Sequence, residues 1–236
     1  MSNRDARSSP VADVGEWDVI VRHYEDCLAK HGVTPRGVDW PSGADLATRF
    51  GVMLELLAEA GDRPSLLDLG CGPGFLLDYM AANGIADRVA YHGVDLSQPM
   101  IDAARARWPT HDFSRRDILA SPLPDRSIDV VIMNGVLTER VSLSVESMTK
   151  LAESLVASAF RLARVGIAFN VMSAHVDWER DDLFHWPFDA VASFLKREVS
   201  KHYAFRADYG LYEYTCFVRR EPWRVGLPAT PEWWLR

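Results

Sequence analysis

Three carboxylates and a glycine-rich turn are the residues whose types and spacing best suit binding chemistry. Asp68 lies in a short apolar run directly before the turn Gly70–Gly74, and Asp95 and Asp117 each close a later apolar run. Glycine lets a backbone turn sharply and lets a ligand approach it closely. If the three runs are parallel strands, their carboxyl ends lie at one edge of a sheet, where such sheets bind ligands. The spacing therefore predicts a binding site along that edge.

The side chains at this edge indicate the chemistry of the ligand. A carboxylate at Asp95 can accept two hydrogen bonds from a ribose diol, and one at Asp117 can meet an adenine amino group. Asp68 would attract an ammonium group and repel a pyrophosphate. Phe75 stands where the dinucleotide fingerprint needs its third glycine. Each residue alone also fits a plain strand end or helix cap, but together they favour a nucleoside without phosphate.

The segment 169–187, which follows another apolar run, supplies candidates for acid–base chemistry. It places aromatic and polar groups close together, as small-molecule pockets do. We expect Asn170, at the strand tip, to face the pocket, and His175, Asp177 or His185 to act as a general base. The alternative is that these side chains hold their own loop together. An acceptor that is already anionic would need no base.

Residues before the glycine turn add further candidates. Arg36, Trp40 and Arg49 precede it, and the forked guanidinium of arginine suits an anionic substrate or the carboxylate of a cofactor. Salt bridging at the surface is the alternative. Tyr24 could cover the ligand, although a core-facing aromatic at helical spacing is the usual explanation. Cys71, within the turn, is better explained as a small residue packed against the ligand than as a reactive thiol.

Alternating helical and apolar patterns indicate the scaffold that positions these residues. We predict strands over residues 65–69, 89–94, 113–116, 128–133, 166–171, 201–207 and 213–220. We predict helices over residues 16–30, 44–60, 75–82, 98–107, 145–162 and 188–199. Apolar strands between helices imply a parallel sheet covered on both faces. The last two strands, joined by residues 208–211, should form an antiparallel hairpin.

Composition limits the class of partner. The 236 residues carry a formal net charge of −7, which argues against a protein that tracks a nucleic-acid backbone. The cysteines are far apart and no His/Cys group has zinc spacing, so no metal site is predicted. No apolar run approaches a membrane span, and no signal peptide is visible. We therefore expect a cytoplasmic protein, monomeric or homodimeric, without nucleic-acid or membrane partners.

The glycine turn, followed by acids at successive strand ends, resembles the class I S-adenosylmethionine-dependent methyltransferases. The resemblance covers about residues 65–220. It implies a Rossmann-like, doubly wound, mostly parallel sheet of seven strands with an antiparallel C-terminal hairpin, and S-adenosylmethionine as cofactor. The cofactor-binding residues so implied are Asp68, Gly70, Cys71, Gly72, Gly74, Asp95, Leu96, Asp117, Ile118, Asn134 and Gly135, with Arg49 and Tyr24 added from the region before the turn.

The region before Ser65 is also similar to the N-terminal cap of small bacterial methyltransferases of unassigned substrate, a likeness that carries no activity. The domain prediction is a disordered segment 1–14, a helical cap 15–62, a methyltransferase domain 63–220 and a Trp/Pro-rich tail 221–236.

The predicted activity is transfer of a methyl group to a small molecule, with oxygen the first choice and nitrogen the second. Saccharides, nucleotide-sugars and specialised metabolites are the acceptor classes that we expect. The tetrad that marks many enzymes methylating exocyclic amines of bases is absent, since Asn134-Gly-Val-Leu137 stands in its place. An NAD-dependent oxidoreductase and a catalytically silent relative remain as alternatives.

Overall fold

The computed structural model describes Gly15 and residues 17–223. The segment 1–14, for which the sequence predicts disorder, and the Trp/Pro-rich tail from residue 224 onward lie outside the described residues. The strands are β1 (Ser65–Leu69), β2 (Ala90–Asp95), β3 (Asp112–Arg115), β4 (Ile128–Met133), β5 (Ala163–Met172), β6 (His202–Arg206) and β7 (Glu213–Arg219). The α-helices are α1 (Asp18–His31), α2 (Gly43–Leu54), α3 (Phe75–Ala82), α4 (Gln98–Arg107), α5 (Val145–Leu162) and α6 (Phe188–Phe194).

The strands form one sheet in the order β3-β2-β1-β4-β5-β7-β6. Strands β1 to β5 pair in parallel, whereas β7 is antiparallel to both β5 and β6. The predicted mostly parallel sheet with an antiparallel C-terminal hairpin is therefore confirmed. Strand β5 is longer than predicted, because Ala163 pairs with Ile128 of β4 at one end and Met172 pairs with Glu213 of β7 at the other.

Side chains of the central strands alternate between the two faces of the sheet, as the strand period requires. In β4, Val131 and Met133 pack in the core under α5 and α6, whereas Val130 and Ile132 pack against α2 and α3. All four side chains are fully buried. A sheet covered on both faces explains why its strands are almost continuously apolar.

Serine side chains fix where three helices begin. Ser42, Ser97 and Ser144 each accept a hydrogen bond from the backbone N–H three residues later, at 3.1, 3.3 and 3.0 Å, so α2, α4 and α5 start directly after them. The second predicted helix loses α-helical geometry earlier than expected and tightens into a 3₁₀ turn over Glu55–Glu59. Such tightening is common at helix ends.

The region before β1 covers the carboxyl edge of the sheet. The Tyr24 hydroxyl of α1 donates to the carbonyl of Gly135 at 3.3 Å. A short 3₁₀ turn, Pro35–Val38, leads to Trp40, whose ring packs directly on Gly135. We call α1 and residues 35–40 the cap. Among the described residues, no helix is both long and apolar enough to cross a membrane.

Candidate functional site

A cleft lies between the cap and the carboxyl ends of β1, β2 and β4. It encloses about 1180 Å³, its open mouth included. Strand β1 sits between β2 and β4, so the strand order reverses here, and doubly wound sheets bind ligands at this point. The topology thus places the cleft where the sequence predicted a binding site.

Most of the predicted cofactor-binding residues come together in this cleft. Those that line it are Tyr24, Asp68, Gly70, Cys71, Gly72, Asp95, Leu96, Asp117, Ile118, Asn134 and Gly135. Gly74 does not line it, because it precedes α3 on the side that faces Trp108 and Phe113. Arg49 also lies outside the lining, behind the Trp40 ring.

The glycine turn is tied to the neighbouring strand. The backbone N–H groups of Gly70 and Cys71 donate to the carbonyl of Val94, at 2.7 and 3.1 Å. Gly70 has a φ of +78°, and a Cβ atom there would lie 2.4 Å from a methyl group of Val136. Only glycine fits both the conformation and the space. The turn therefore approaches the loop after β4 closely and exposes backbone to the cleft.

Asp95 holds the turn as well as lining the cleft. Its two carboxylate oxygens accept hydrogen bonds from the backbone N–H groups of Gly72 and Ser97, each at 2.9 Å. Burial raises the pKa of Asp95, and these N–H donors oppose that effect because they favour the ionised form. Each oxygen keeps further lone pairs, so a diol could still bind there.

Asp68 is almost fully buried, with 3% of its surface exposed. The Tyr91 hydroxyl donates to it at 2.7 Å. Burial raises the pKa of Asp68 to about 7, against the opposing effect of that hydrogen bond. A cation bound beside this carboxyl would favour its ionised form, so the side chain suits an ammonium group and not a phosphate.

Asp117 closes the far side of the cleft. Its Oδ1 atom accepts hydrogen bonds from the backbone N–H groups of Leu119 at 2.8 Å and Ala120 at 3.3 Å. Ile118 is buried with 2% exposure. These bonds fix the loop after β3 and leave Oδ2 without a partner among the described residues.

Asn134 and Gly135 form the corner where the sheet meets the cap. The Oδ1 atom of Asn134 is buried and has no hydrogen-bond partner among the described residues. An unpaired buried acceptor is costly, which makes it a natural contact for a ligand donor. Gly135 has a φ of +76°, and a Cβ atom there would lie 2.6 Å from the Trp40 ring. Glycine therefore lets the cap close onto this corner.

A buried polar network lies behind that corner. Arg49 donates to Glu213 at 2.8 Å, and the Asn170 amide donates to Glu213 at 3.1 Å. The Asn170 Oδ1 atom accepts from the Gly135 N–H at 2.7 Å. The Arg49 guanidinium stacks on Trp40 at 3.9 Å from the ring centroid, and its Nη1 atom is buried without a partner among the described residues.

Two expectations about this network differ from the structure. We expected Asn170 to face the pocket, but it is fully buried and does not line the cleft, because both ends of its amide bond protein groups. The surface salt bridging considered for Arg49 is also absent, since its partner Glu213 is buried with 2% exposure.

The segment after β5 does not reach the cleft. His175 and Asp177 are exposed, and neither lines the cavity. The His175 ring stacks on Phe188, with centroids 5.6 Å apart. Phe184 and Trp186 are buried in the core beside α6, with exposures of 1% and 2%. The aromatic residues thus anchor this segment to the core and direct it away from the expected pocket.

Other lining residues escaped the sequence-based interpretation. The cleft is also lined by Trp17, directly before α1, by Ile20 and Val21 of α1 and by Leu151 and Leu155 of α5. Their helical spacing predicted burial but did not show what they would be buried against.

Glu139 is a buried acid that the sequence did not single out. It is 6% exposed, and no described residue forms a hydrogen bond with its carboxylate. Burial and the nearby charge of Asp39 raise its pKa to about 7, and its charge in turn acts on Tyr24. The pKa of Tyr24 is raised well above its usual value, chiefly by burial, so this phenol stays protonated and serves as a donor.

Comparison with known proteins defines the class. Residues 66–158 match the model of a family described as a methyltransferase domain. The chain is 34% identical over 167 residues to a putative methyltransferase of Mycobacterium tuberculosis, a match that covers 70% of this chain and 98% of the relative. The chain belongs to the class I S-adenosylmethionine-dependent methyltransferases. Its cofactor is accordingly S-adenosylmethionine and not a nicotinamide dinucleotide.

Other relatives match over shorter stretches. A trans-aconitate 2-methyltransferase of Rhizobium rhizogenes is 41% identical over 71 residues, 30% of this chain and 26% of the relative. A probable S-adenosylmethionine-dependent methyltransferase of Mycolicibacterium smegmatis is 32% identical over 123 residues, 52% of this chain and 43% of the relative. The crystal structure of magnesium protoporphyrin IX methyltransferase from Synechocystis PCC 6803 superposes with a TM-score of 0.60 at 14% identity, over 90% of this chain and 100% of that one, which confirms the fold.

Proposed function

We propose that this methyltransferase transfers the methyl group of S-adenosylmethionine to an oxygen atom of a small molecule, such as a saccharide, a nucleotide-sugar or a specialised metabolite. The observation that carries the proposal is the roof over the Asn134–Gly135 corner. Tyr24 and Trp40 both contact Gly135 from the cap, so the space beside the corner is covered by protein. A covered corner admits a small acceptor more readily than a side chain on a folded protein or a base in a duplex.

We further propose how the cleft divides among the parts of the cofactor. Asp68 and the turn from Gly70 to Gly72 hold the methionine part, Asp95 and Leu96 bind the ribose, and Asp117 with Ile118 frames the adenine. The unpaired atom Asn134 Oδ1 supports this arrangement, because a ligand donor there would satisfy a buried acceptor.

The unpaired Nη1 atom of Arg49 fits the methionine carboxylate, since an arginine nitrogen prefers a charged acceptor. Arg49 lies behind the Trp40 ring, so this contact requires Trp40 to shift when the ligand enters.

The main contributions that we assign to the protein are to align the acceptor atom, the methyl group and the sulfur, and to exclude water. S-adenosylmethionine supplies an electrophilic methyl group on a positively charged sulfur, and in-line displacement gains most from correct positioning. The Gly135 backbone is well suited to positioning, because Asn170 accepts a hydrogen bond from its N–H and Tyr24 donates one to its carbonyl. A protonated Tyr24 cannot act as the base, and an acceptor that ionises readily needs none.

The preference for oxygen has support from a relative. A malonyl-[acyl-carrier protein] O-methyltransferase of Serratia marcescens is 33% identical over 137 residues, 57% of this chain and 49% of that protein. The net charge of −7 adds an argument against nucleic acid as acceptor.

Paired acceptors test the proposal. The purified full chain is incubated with S-adenosylmethionine and with small molecules that share a skeleton but carry either a hydroxyl or an amine. We expect S-adenosylhomocysteine to form, with a methyl group on the hydroxyl compound and little on its amine partner. Transfer only to amines would overturn the choice of oxygen. Cofactor binding without transfer to any acceptor in a broad panel would favour the catalytically silent alternative.

A further inference from the structure

Three side chains with different donor atoms converge on the outer side of the cap. His23, Cys27 and Asp39 place a ring nitrogen, a thiol and a carboxylate oxygen within 4.8 Å of one another. The His23 Nε2 atom lies 2.8 Å from Asp39 Oδ2 and 3.9 Å from Cys27 Sγ. One nitrogen is therefore close to both other donor atoms.

The fold brings these donors together without a ligand. His23 and Cys27 are four residues apart on α1, so they share one face of the helix. Asp39 ends the turn Pro35–Val38, where its backbone N–H donates to the carbonyl of Arg36 at 3.1 Å. The turn is held to α1 through the loop that begins at Gly32, so the site is assembled from two fixed elements.

We propose that His23, Cys27 and Asp39 bind a divalent transition-metal ion of the zinc class, with a fourth position open to water. Imidazole, thiolate and carboxylate are the ligands that zinc takes in proteins, and three protein ligands with one open position are typical of its non-structural sites. Zinc bonds of about 2.0 to 2.3 Å at tetrahedral angles separate neighbouring donor atoms by about 3.3 to 3.7 Å. The observed separations of 2.8 and 3.9 Å lie on either side of that range, so small side-chain rotations admit the ion.

A second histidine–aspartate pair shows what a simple ion pair looks like in this chain. His92 and Asp112 lie 3.0 Å apart on neighbouring strands at the surface, and no thiol accompanies them. The cap pair differs, because Cys27 is partly exposed and adds a third ligand, whereas Cys71 and Cys216 are buried. Glu139 lies near enough for the charges of Asp39 and His23 to act on it.

An ion at this site would fix the cap. The helix that carries His23 and Cys27 also carries Tyr24, and the turn that carries Asp39 leads directly to Trp40, and both aromatic residues line the cleft. Our sequence-based prediction of no metal site rested on the absence of a closely spaced His/Cys motif. It did not consider a carboxylate from a separate element.

Cobalt titration tests the proposal independently of methyl transfer. The metal-free full chain, without an affinity tag, is titrated with Co²⁺ and the thiolate-to-cobalt absorption is recorded. We expect one ion per chain and displacement by Zn²⁺. Cys27→Ser should abolish the thiolate band, and His23→Gln should weaken Zn²⁺ binding by at least about tenfold. His92→Gln, which alters the simple ion pair, should change neither the thiolate band nor the affinity for Zn²⁺.

Alkylation provides a second readout, because Cys27 is the accessible cysteine among the described residues. Zn²⁺ should protect it from iodoacetamide. Circular dichroism shows whether each variant is folded. Absence of the thiolate band in the folded wild-type chain, or equal Zn²⁺ affinity in Cys27→Ser, would overturn the proposal.

Discussion

The two walls of the cleft are built in different ways. On the sheet wall, Asp95 and Asp117 accept hydrogen bonds from backbone groups within a few residues or in the adjoining turn. On the cap wall, Tyr24 reaches Gly135, and behind that wall Arg49 of α2 reaches Glu213; both partners are distant in the sequence. The sheet wall is therefore set by local motifs, whereas the cap wall depends on tertiary contacts. Substitutions on the two walls should consequently have different effects.

Removal of the buried cation behind the cap wall should have the largest effect. In Arg49→Met, Glu213 keeps a buried carboxylate without its positive partner, and loss of one member of a buried pair destabilises a protein by roughly 3–5 kcal/mol. Urea unfolding measures this change. Arg164→Met is the control, because Arg164 is half exposed and pairs with Asp129 at the surface, where the loss should stay below about 1 kcal/mol. Equal losses of unfolding free energy in the two variants would show that the cap wall does not depend on the Arg49–Glu213 pair.

On the sheet wall, Asp95→Ala should act mainly on the cofactor. We expect affinity for S-adenosylhomocysteine to fall by roughly 1–3 kcal/mol, because charge-assisted hydrogen bonds to the ribose are lost. Calorimetry measures the dissociation constant, and unfolding reports the separate loss of the bonds to Gly72 and Ser97. Asp112→Ala removes an exposed acid from β3 and should change neither quantity. An unchanged dissociation constant in Asp95→Ala would refute the ribose assignment.

The acid at the centre of the sheet wall should give a dependence on pH. Burial raises the pKa of Asp68 to about 7, so the folded, unliganded protein holds this proton more tightly than the unfolded chain does. The resulting contribution to stability is complete below about pH 4 and is lost as the pH rises through about 7. If an ammonium group binds beside Asp68, cofactor affinity should rise with pH in the same range, by up to about tenfold per unit.

Asp68→Asn isolates these effects from those of the other buried acids. In this variant, the free energy of unfolding should no longer fall, and cofactor affinity should no longer rise, as the pH increases toward about 7. Urea unfolding and calorimetry across the pH range measure the two quantities. A pH profile of affinity identical to that of the wild type would place the ammonium elsewhere.

The smallest effects should come from the segment that lies away from both walls. His175→Ala and Asp177→Ala should leave the turnover within about twofold of the wild-type value, since exposed side chains outside the site rarely contribute more. Asn134→Ala, at the corner of the cleft, is the comparison variant in which turnover should respond. A folded His175→Ala variant with no turnover would restore the base expected from the sequence.

The sequence was informative where structure is local. The glycine turn, the strand ends at Asp68, Asp95 and Asp117, and the order of helices and strands follow from short-range patterns, and the sheet is as predicted. Side chains whose partners are remote were placed less well. Asn170 sits at the predicted strand tip, but its burial depends on Glu213, which only the pairing of β5 with β7 brings near.

The segment after β5 shows the same limit. Its aromatic residues suggested a pocket, yet apolar rings fill a core as readily as they line a cavity. Only the packing of Trp186 beside α6 distinguishes the two outcomes. The burial of Arg49 against Glu213 likewise depends on tertiary contacts that no local pattern encodes.

The backbone of Gly135 has two attachments of unequal strength, and their difference bears on the exchange of reaction products. Its N–H is held by Asn170 at 2.7 Å, whereas its carbonyl receives the Tyr24 hydroxyl at only 3.3 Å. A longer hydrogen bond is the weaker one. Separation would therefore occur on the Tyr24 side, so the Gly135 backbone would remain with the sheet while α1 moves away. Departure of the spent nucleoside would then leave the Asn134–Gly135 corner intact for the next cycle.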